Sequence, residues 1–589
     1  MCTSYGYNCQ YPPDESPTAQ FVDPPQPVEK LLRGSSSSEG HSPHLLLKSE
    51  RDEEKDLERS GSPDAVDIGL LDPFKERYMG IHSAVAFPRA LGIDLQSSNP
   101  PRVHSFAWNC GVRPEEPAGN HRLISSIVSR EEYERYTAVY LAVVHPVFGI
   151  LSPTIFKSTA VSYFTAAPPK PKDFDAVLAG VLALGSFFSG EQKCPNEHLL
   201  VAHAKDILED PIFVRVPGLY QVLGNVLRTI YLRATTRPHV SWLSSCTAFH
   251  CAEATGLHRE IDRGVTLTSD QVSPEDSTAR PPSNDRSKSE TYNYGRSRGG
   301  NDMVRRLFWV TWAMNRIISY EYGRSWVQLN GITTKLPHEE EGDYTYWFIQ
   351  LIHIIPTIQG HQHSPAGART STAELLLKAL SKLDDIPDSH PFLTLSKTDI
   401  ATSIYRRLRL LAIAPQSLTN KIISLGTASL RASLELIDRR HFWWQNVCSI
   451  FQYICVLLAL DNTRSLREIK PAMETLEKIY GVLGTHVSRE AVNTAKLLIR
   501  DSRRKRRRDL QYLEGVGADD EEGDETNGGK GFEGAHGGEL GDARGELGGR
   551  GQNGNGMVGM QWNWQLDEID WDALLDPGFG FLPQDLGAF

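Results

Sequence analysis

The stretch DMVRRLFWVTWAMNRIISYEYGRSW, residues 302–326, sets the structural period of the chain. Phe308, Trp309 and Trp312 stand at the spacing that a helix of 3.6 residues per turn brings to one face. Large rings on one helix face belong to a core far more often than to a cofactor box. The same period recurs to the N-terminal side, in Tyr136, Tyr140, Val143, Val144 and Val147 and again in Leu223, Val226, Leu227 and Ile230. Strand-like alternation between turn signals is scarce. Residues 71–500 therefore predict an all-α fold, a large domain of helices packed on helices around one extended core. With 589 residues and 40% hydrophobic content, the chain has the material to fill it.

The flanks have a different composition. Residues 12–70 are rich in Pro, Ser and charge, with SSSS at 35–38 and RDEEKDLER at 51–59, and predict a disordered linker. Pro24, Pro25 and Pro27 break any heptad pattern, so no dimerising coiled coil is expected there. Residues 264–301 interrupt the helical region with SDQVSPEDSTARPPSNDRSKSE at 269–290, a polar insertion loop. A basic segment follows at 501–514. An acidic, Gly-rich disordered stretch comes next at 515–559, and 560–589 regain Trp, Phe and Leu.

A net charge of −11 excludes a chain that is basic throughout, so any contact with nucleic acid is local. Eight cysteines are too sparse for a disulfide scaffold and fit a reducing, intracellular compartment. Pro12, Pro13 and Asp14 interrupt the N-terminus where a secretory signal would need an apolar run. The apolar run AVLAGVLAL at 176–184 is short of the ~20 residues of a membrane span, so no membrane association is expected.

Four motifs carry chemistry. In CTSYGYNC, Cys2 and Cys9 are spaced so that both thiolates reach one zinc, but a tetrahedral zinc takes four ligands. DDIPD at 384–388 has the lettering of a magnesium–diphosphate motif, which needs Asp384 and Asp388 one helical turn apart. Pro387 turns Ile386 away from helical conformation, and no second acidic motif accompanies it, so a solvated loop is expected. The run RRKRRR, Arg503, Arg504, Lys505, Arg506, Arg507 and Arg508, suits recognition by a nuclear import receptor, with phosphate contact as the next reading. No phosphate-binding GxxxxGK[ST] loop and no GxSxG nucleophile elbow occurs, and no catalytic residue is assigned.

The fourth motif is WNWQLDEIDWDALLDPGFGFLPQDLGAF, which interleaves Asp567, Glu568, Asp570, Asp572 and Asp576 with rings and aliphatics and contains no Lys or Arg. This is the composition of an amphipathic activation segment. If it forms a helix, Leu566, Ile569 and Ala573 share a face with Trp571, Leu574 and Leu575 beside it, and Trp562 and Trp564 precede it. Such a face fits a coactivator groove; the competing reading is a helix docked on its own domain.

Two of these regions resemble a known family. RPHVSWLSSCTAFHCAEATGLHRE at 237–260, the segment 302–326 and KLP at 335–337 resemble in order the middle homology domain of fungal-specific transcription factors. The matching residues are Trp242, Gly256, Leu257, His258, Arg305, Arg306, Phe308, Trp309, Gly323 and Arg324, with Ser325 where proline is more usual. On their own chemistry these residues read as structural: Gly256 suits the positive φ of a helix C-cap, and His258 has no metal-ligand or catalytic partner in sequence.

The N-terminal CTSYGYNC is similar to the last third of the family's binuclear zinc cluster, with Cys2 at the fifth ligand and Cys9 at the sixth. In that alignment the other four ligands and the basic helix between the second and third fall upstream of Met1. Zinc is expected only if an upstream segment completes the cluster, and residues 1–11 are then its remnant. The resemblance implies a nuclear regulator of RNA polymerase II transcription, an activator by its tail, reading short CGG-like triplets where the cluster is complete. The alternatives are a helical adaptor or co-regulator without its own DNA contact, and an all-α metal-dependent enzyme.

Overall fold

The computed structural model describes residues 69–517, apart from 73–76, 81–82, 85, 99–115, 118, 166–171, 216, 261–297, 358–365 and 414. Cys2, Cys9 and the segment 560–589 therefore lie outside the described residues, as do nearly all of the linker, most of the insertion and the acidic Gly-rich stretch.

The fold is all-α, with one small exception at its start. A hairpin pairs β1 (Gly69–Asp72) with β2 (Arg77–Gly80) antiparallel, Gly69 opposite Gly80. Strands of four residues carry too little alternation to be read in sequence, and this one spans the expected boundary at residue 71. Helix α1 (Phe87–Asp94) follows.

The main bundle begins with a capping box. The Ser129 hydroxyl accepts from the Glu132 amide at 3.2 Å while the Glu132 carboxylate accepts from the Ser129 amide at 2.8 Å, which satisfies two of the donors a helix start leaves open. Helix α2 (Arg130–Val143) then buries Tyr133, Tyr136, Tyr140 and Val143, the spacing read from sequence. Helix α3 (Pro153–Val161) leads to α4 (Phe174–Phe187), which is buried on every side, so its apolar run shows no amphipathic stripe.

Packed on α4 are α2, α5 (Glu197–Glu209) and α7 (Leu219–Thr235). The short α6 (Pro211–Arg215) precedes α7, and α8 (Pro238–Ala254) lies against it. Gly185 of α4 faces the backbone carbonyl of Tyr136 so closely that no Cβ fits.

Helix α9 (Arg298–Glu321) contains the stretch 302–326 almost entirely and packs on α8 and α10 (Thr345–His353). It begins three residues before the expected end of the insertion. The second half consists of α11 (Ala366–Lys382), α12 (Pro391–Leu410), α13 (Gln416–Asp438), α14 (Gln445–Leu460), α15 (Thr463–Leu483) and α16 (His486–Gly517). Here α12 packs on α13 and α14, and α14 on α15 and α16.

Rings join the two halves into one core. Phe148 meets Phe348 at 5.2 Å and Phe392 at 5.5 Å between centroids, and Phe392 meets Trp443 at 4.8 Å, edge to face in each case. The boundary expected at residue 500 does not coincide with a structural break. Helix α16 runs through the basic segment to Gly517, because Arg and Lys are good helix formers and the run contains neither Gly nor Pro.

Candidate functional site

The paired segments that carry the family resemblance meet at the end of α8 and the start of α9. Helix α8 stops at Thr255, and Gly256 follows with φ 76°, the left-handed conformation expected of it. The chain then turns inward. His258 is buried, and its carbonyl accepts from the Thr333 and Thr334 amides at 2.9 and 3.2 Å. Burial, reinforced by the Arg259 charge, lowers the His258 pKa to about 4, so the imidazole is neutral and packed edge-on against Tyr78.

Arg305 and Arg306 sit on the first full turns of α9 and hold the loop that contains KLP. Arg305 forms a forked pair with Glu260, whose carboxylate also accepts from the Lys335 amide at 2.9 Å. Arg306, 3% exposed in its side chain, pairs with Asp302 at 2.8 Å and with Asp343, and donates to the His338 carbonyl at 3.0 Å. The Trp309 indole donates to the Lys335 carbonyl at 2.9 Å. At the other end of α9, the Trp242 indole donates to the Ser319 hydroxyl and the Ser325 carbonyl at 3.1 and 3.2 Å, under the Arg324 guanidinium. Each signature residue is thus spent on packing or on strapping a loop, and none is poised for chemistry.

The acidic motif DDIPD does not form the single helical turn that a magnesium–diphosphate motif needs. Leu383–Asp385 form a single 3-10 turn, Ile386 is extended before Pro387, and the two outer carboxylates have separate partners. Asp384 pairs with Lys421, and Asp388 with Lys397 at 2.6 Å. Among the described residues no group of three or more His, Cys, Asp or Glu side chains is arranged to hold a metal ion.

The basic run is built differently from a loose tail. Its helix buries Ser488, Val492 and Ala495 against the bundle, and Lys505 and Arg506 continue that side. Both cations lie half-buried over Asp461, the residue with φ 50° that ends α14, at 3.8 and 2.5 Å. Arg503, Arg504, Arg507 and Arg508 are exposed, and so is Arg500.

Positions 500, 503, 504, 507 and 508 recur at helical spacing, so five guanidinium groups form one stripe turned away from the bundle. Arg504 has Asp501 at 3.5 Å; among the described residues no ion pair joins the other four. Arg500 was not part of the expected run, although its spacing from Arg503 and Arg504 is visible in sequence. The structure places the six expected cations on two faces: two tether the helix and four point outward.

Comparison with known proteins fits this architecture. The model of the fungal specific transcription factor domain matches residues 137–405, which contain both signature segments. Protein RDR1 of Saccharomyces cerevisiae is 42% identical over 515 residues, covering 87% of each chain. The chain belongs to the fungal-specific transcription factor family. Transcription factor kojR of Aspergillus oryzae is 35% identical over 442 residues, 74% of this chain and 73% of its own. A probable transcriptional repressor of Schizosaccharomyces pombe is 27% identical over 247 residues, 41% of this chain and 47% of its own. This fungal transcription factor is accordingly a regulator of transcription, and its helical domain begins before the matched segment, at Ser129, and continues after it to α16.

Proposed function

We propose that the chain regulates transcription in the nucleus as an activator without catalytic activity, entering through an import receptor that reads the arginine stripe of α16. The observation that supports this is the exposure of Arg500, Arg503, Arg504, Arg507 and Arg508 on one face, with Lys505 and Arg506 fixing the helix beneath them. Five cations at 3.6-residue spacing, most without an acidic partner, offer an acidic surface many charge-assisted hydrogen bonds at once. No described helix is long and apolar enough to cross a membrane. The segment 560–589 supplies the coactivator contact in this reading.

Among the described residues the thiols do not suit zinc. Cys194, Cys246, Cys251, Cys448 and Cys455 are free and dispersed through the bundle. Burial raises the pKa of each of these five thiols, the opposite of what a metal ligand needs. Cys2 and Cys9 are two of the six thiolates a binuclear cluster takes. Specific contact with DNA is therefore assigned to a completed cluster or to a partner, and this chain alone contributes phosphate contact.

The experiment is localisation of a fluorescent fusion. Replacing Arg503, Arg504, Arg507 and Arg508 by Ala moves the protein to the cytoplasm while the bundle stays folded. The regular spacing of the arginines also favours a second reading, in which the stripe lies along a nucleic-acid backbone. In that case the same variant stays nuclear and loses a salt-sensitive DNA affinity instead.

A further inference from the structure

A cleft of about 640 Å³ lies between the two halves of the bundle, away from the arginine stripe, and of the stretches singled out in sequence only 302–326 reaches it, through Glu321 and Tyr322. That size is in the range of small-molecule sites. Its walls are rings and aliphatics: Phe187 of α4, Tyr322 after α9, Phe442, Trp443 and Trp444 before α14, and Val447. Polar groups from four helices converge among them. Arg233 at the end of α7 pairs with Glu321 at the end of α9 at 2.7 Å, Asp399 and Arg406 come from α12, and Gln452 comes from α14.

Three polar atoms on these walls make no hydrogen bond within the chain although they are buried: Arg233 Nε, Trp443 Nε1 and Asp399 Oδ2. Two are N–H donors whatever the pH. The third belongs to a carboxyl whose pKa is pushed up to about 8, by burial first and by the Glu321 charge second, so at neutral pH it carries a proton to donate. Ser449 stands close enough to favour its ionised form, but makes no hydrogen bond of normal geometry with it.

The charge balance points the same way. Arg233 is neutralised by Glu321, and a protonated Asp399 contributes nothing. Arg406, exposed at the mouth, donates to the neutral Gln452 at 3.0 Å and has no ion pair among the described residues. The lining therefore carries one uncompensated positive charge, three unused donors and an aromatic wall. Unused buried donors are costly unless an acceptor reaches them, and rings provide burial without polar demand.

We propose that this cleft is an effector site for a small ring-bearing carboxylate, its ring against Trp443, Trp444 and Phe187 and its head group accepting from Arg406 and the unused donors. Val482, Leu483, Thr485 and Val487, the turn from α15 into α16, form the mouth, and Val482 and Val487 are exposed there. An occupant buries part of that turn. It thereby stabilises the start of the helix whose far end carries the arginine stripe.

The test compares 4-phenylbutyrate, 4-phenylbutylamine and 4-phenylbutanol by saturation-transfer NMR on the full-length protein. These three probes share a ring and chain and differ in the head group. The acid binds at least about tenfold tighter than the amine or the alcohol, the margin of one charge-assisted hydrogen bond. Arg406→Gln, at an exposed position that leaves the fold intact, brings the acid down to the level of the alcohol. Val447→Trp fills the cleft and removes binding of all three, and the circular dichroism of that variant verifies folding. The proposal is overturned if the acid does not bind, if the amine or the alcohol matches it, if Arg406→Gln leaves its affinity unchanged, or if a folded Val447→Trp still binds it.

Discussion

Arg506 reaches both the carboxylate of Asp461, at 2.5 Å, and its backbone carbonyl, at 3.1 Å, so one side chain caps the C-terminal end of α14 and ties down the distal half of α16. A cation at that place also complements the negative end of the α14 dipole. Without it, the stacked arginines at 503/507 and 504/508 repel at i,i+4 and weaken the helix by a few tenths of a kcal/mol for each pair.

Asp461→Ala is therefore expected to fray α16 beyond Ile499 while leaving α14 and α15 in place. Hydrogen exchange of the amides of residues 500–513 measures this directly, with faster exchange expected there and no change at Val492 or Ala495. The global cost is small, about 1 kcal/mol or less, because the pair is partly exposed.

Close approaches in the core predict larger losses. Gly185 meets the Tyr136 carbonyl, and Gly426 of α13 meets the Tyr453 ring, at separations that leave no room for a Cβ. Gly185→Ala must push backbone against backbone, whereas Gly426→Ala can be relieved in part by a shift of the Tyr453 ring. Thermal unfolding should rank Gly185→Ala as the more damaging, with a loss of at least ~1–3 kcal/mol.

The pH dependence of stability has two opposed sources. Burial lowers the pKa of His145, His258 and His390 to about 4, so between pH 6.5 and 4 the unfolded chain takes up protons that the folded chain refuses. Stability therefore falls as pH falls through that window. At His390, where burial is joined by the Arg439 charge, the geometry shows what a proton would also cost: Nδ1 accepts from the Phe392 amide at 3.2 Å as the N-cap of α12, and protonation there removes the acceptor. Asp399 has the opposite sign, because its raised pKa leaves the folded state protonated while the unfolded state ionises.

Below pH 6.5 the three histidines outweigh this one group; between 6.5 and 8 it alone of these four acts, at about 1.4 kcal/mol per pH unit. Chemical denaturation across pH should thus show maximum stability near pH 6.5, and Asp399→Asn should flatten the alkaline decline. A wild-type curve still rising toward pH 8 contradicts the assignment.

Most of the helices were legible because burial imposes a 3.6-residue period that Tyr136, Leu223 and Phe308 each repeat, and the turn at Gly256 because only a residue without Cβ takes φ 76° at no cost. The hairpin at 69–80 was not legible, since four-residue strands are too short to show alternation. The expected boundary at residue 500 falls inside α16, because a run of like charge reads as a change of segment while the arginines in it hold helical geometry well. For the basic run, the residues were legible but not their division between Asp461 and solvent. The cleft was not legible: Arg233 lies in α7 and Asp399 and Arg406 in α12, unremarkable helical stretches, and only the packing of the helices brings them to one cavity.

As given, the chain should not retain two zinc ions, having two of the six thiolates and no alternative cluster among the described residues. Elemental analysis of purified protein finding two tightly held zincs for each chain would show that thiols assigned here to the core are ligands instead.

The claim that this regulator activates transcription through its acidic, aromatic C-terminal segment is tested most directly by tethering the full chain to an unrelated DNA-binding domain upstream of a reporter. Reporter expression is predicted to rise, and to collapse when Trp571, Leu574 and Leu575 are changed to Ala, which removes up to ~1.5–3 kcal/mol of burial for each large side chain and leaves every charge in place. Unchanged or lowered expression with the parent chain, or equal activation by the triple variant, contradicts it.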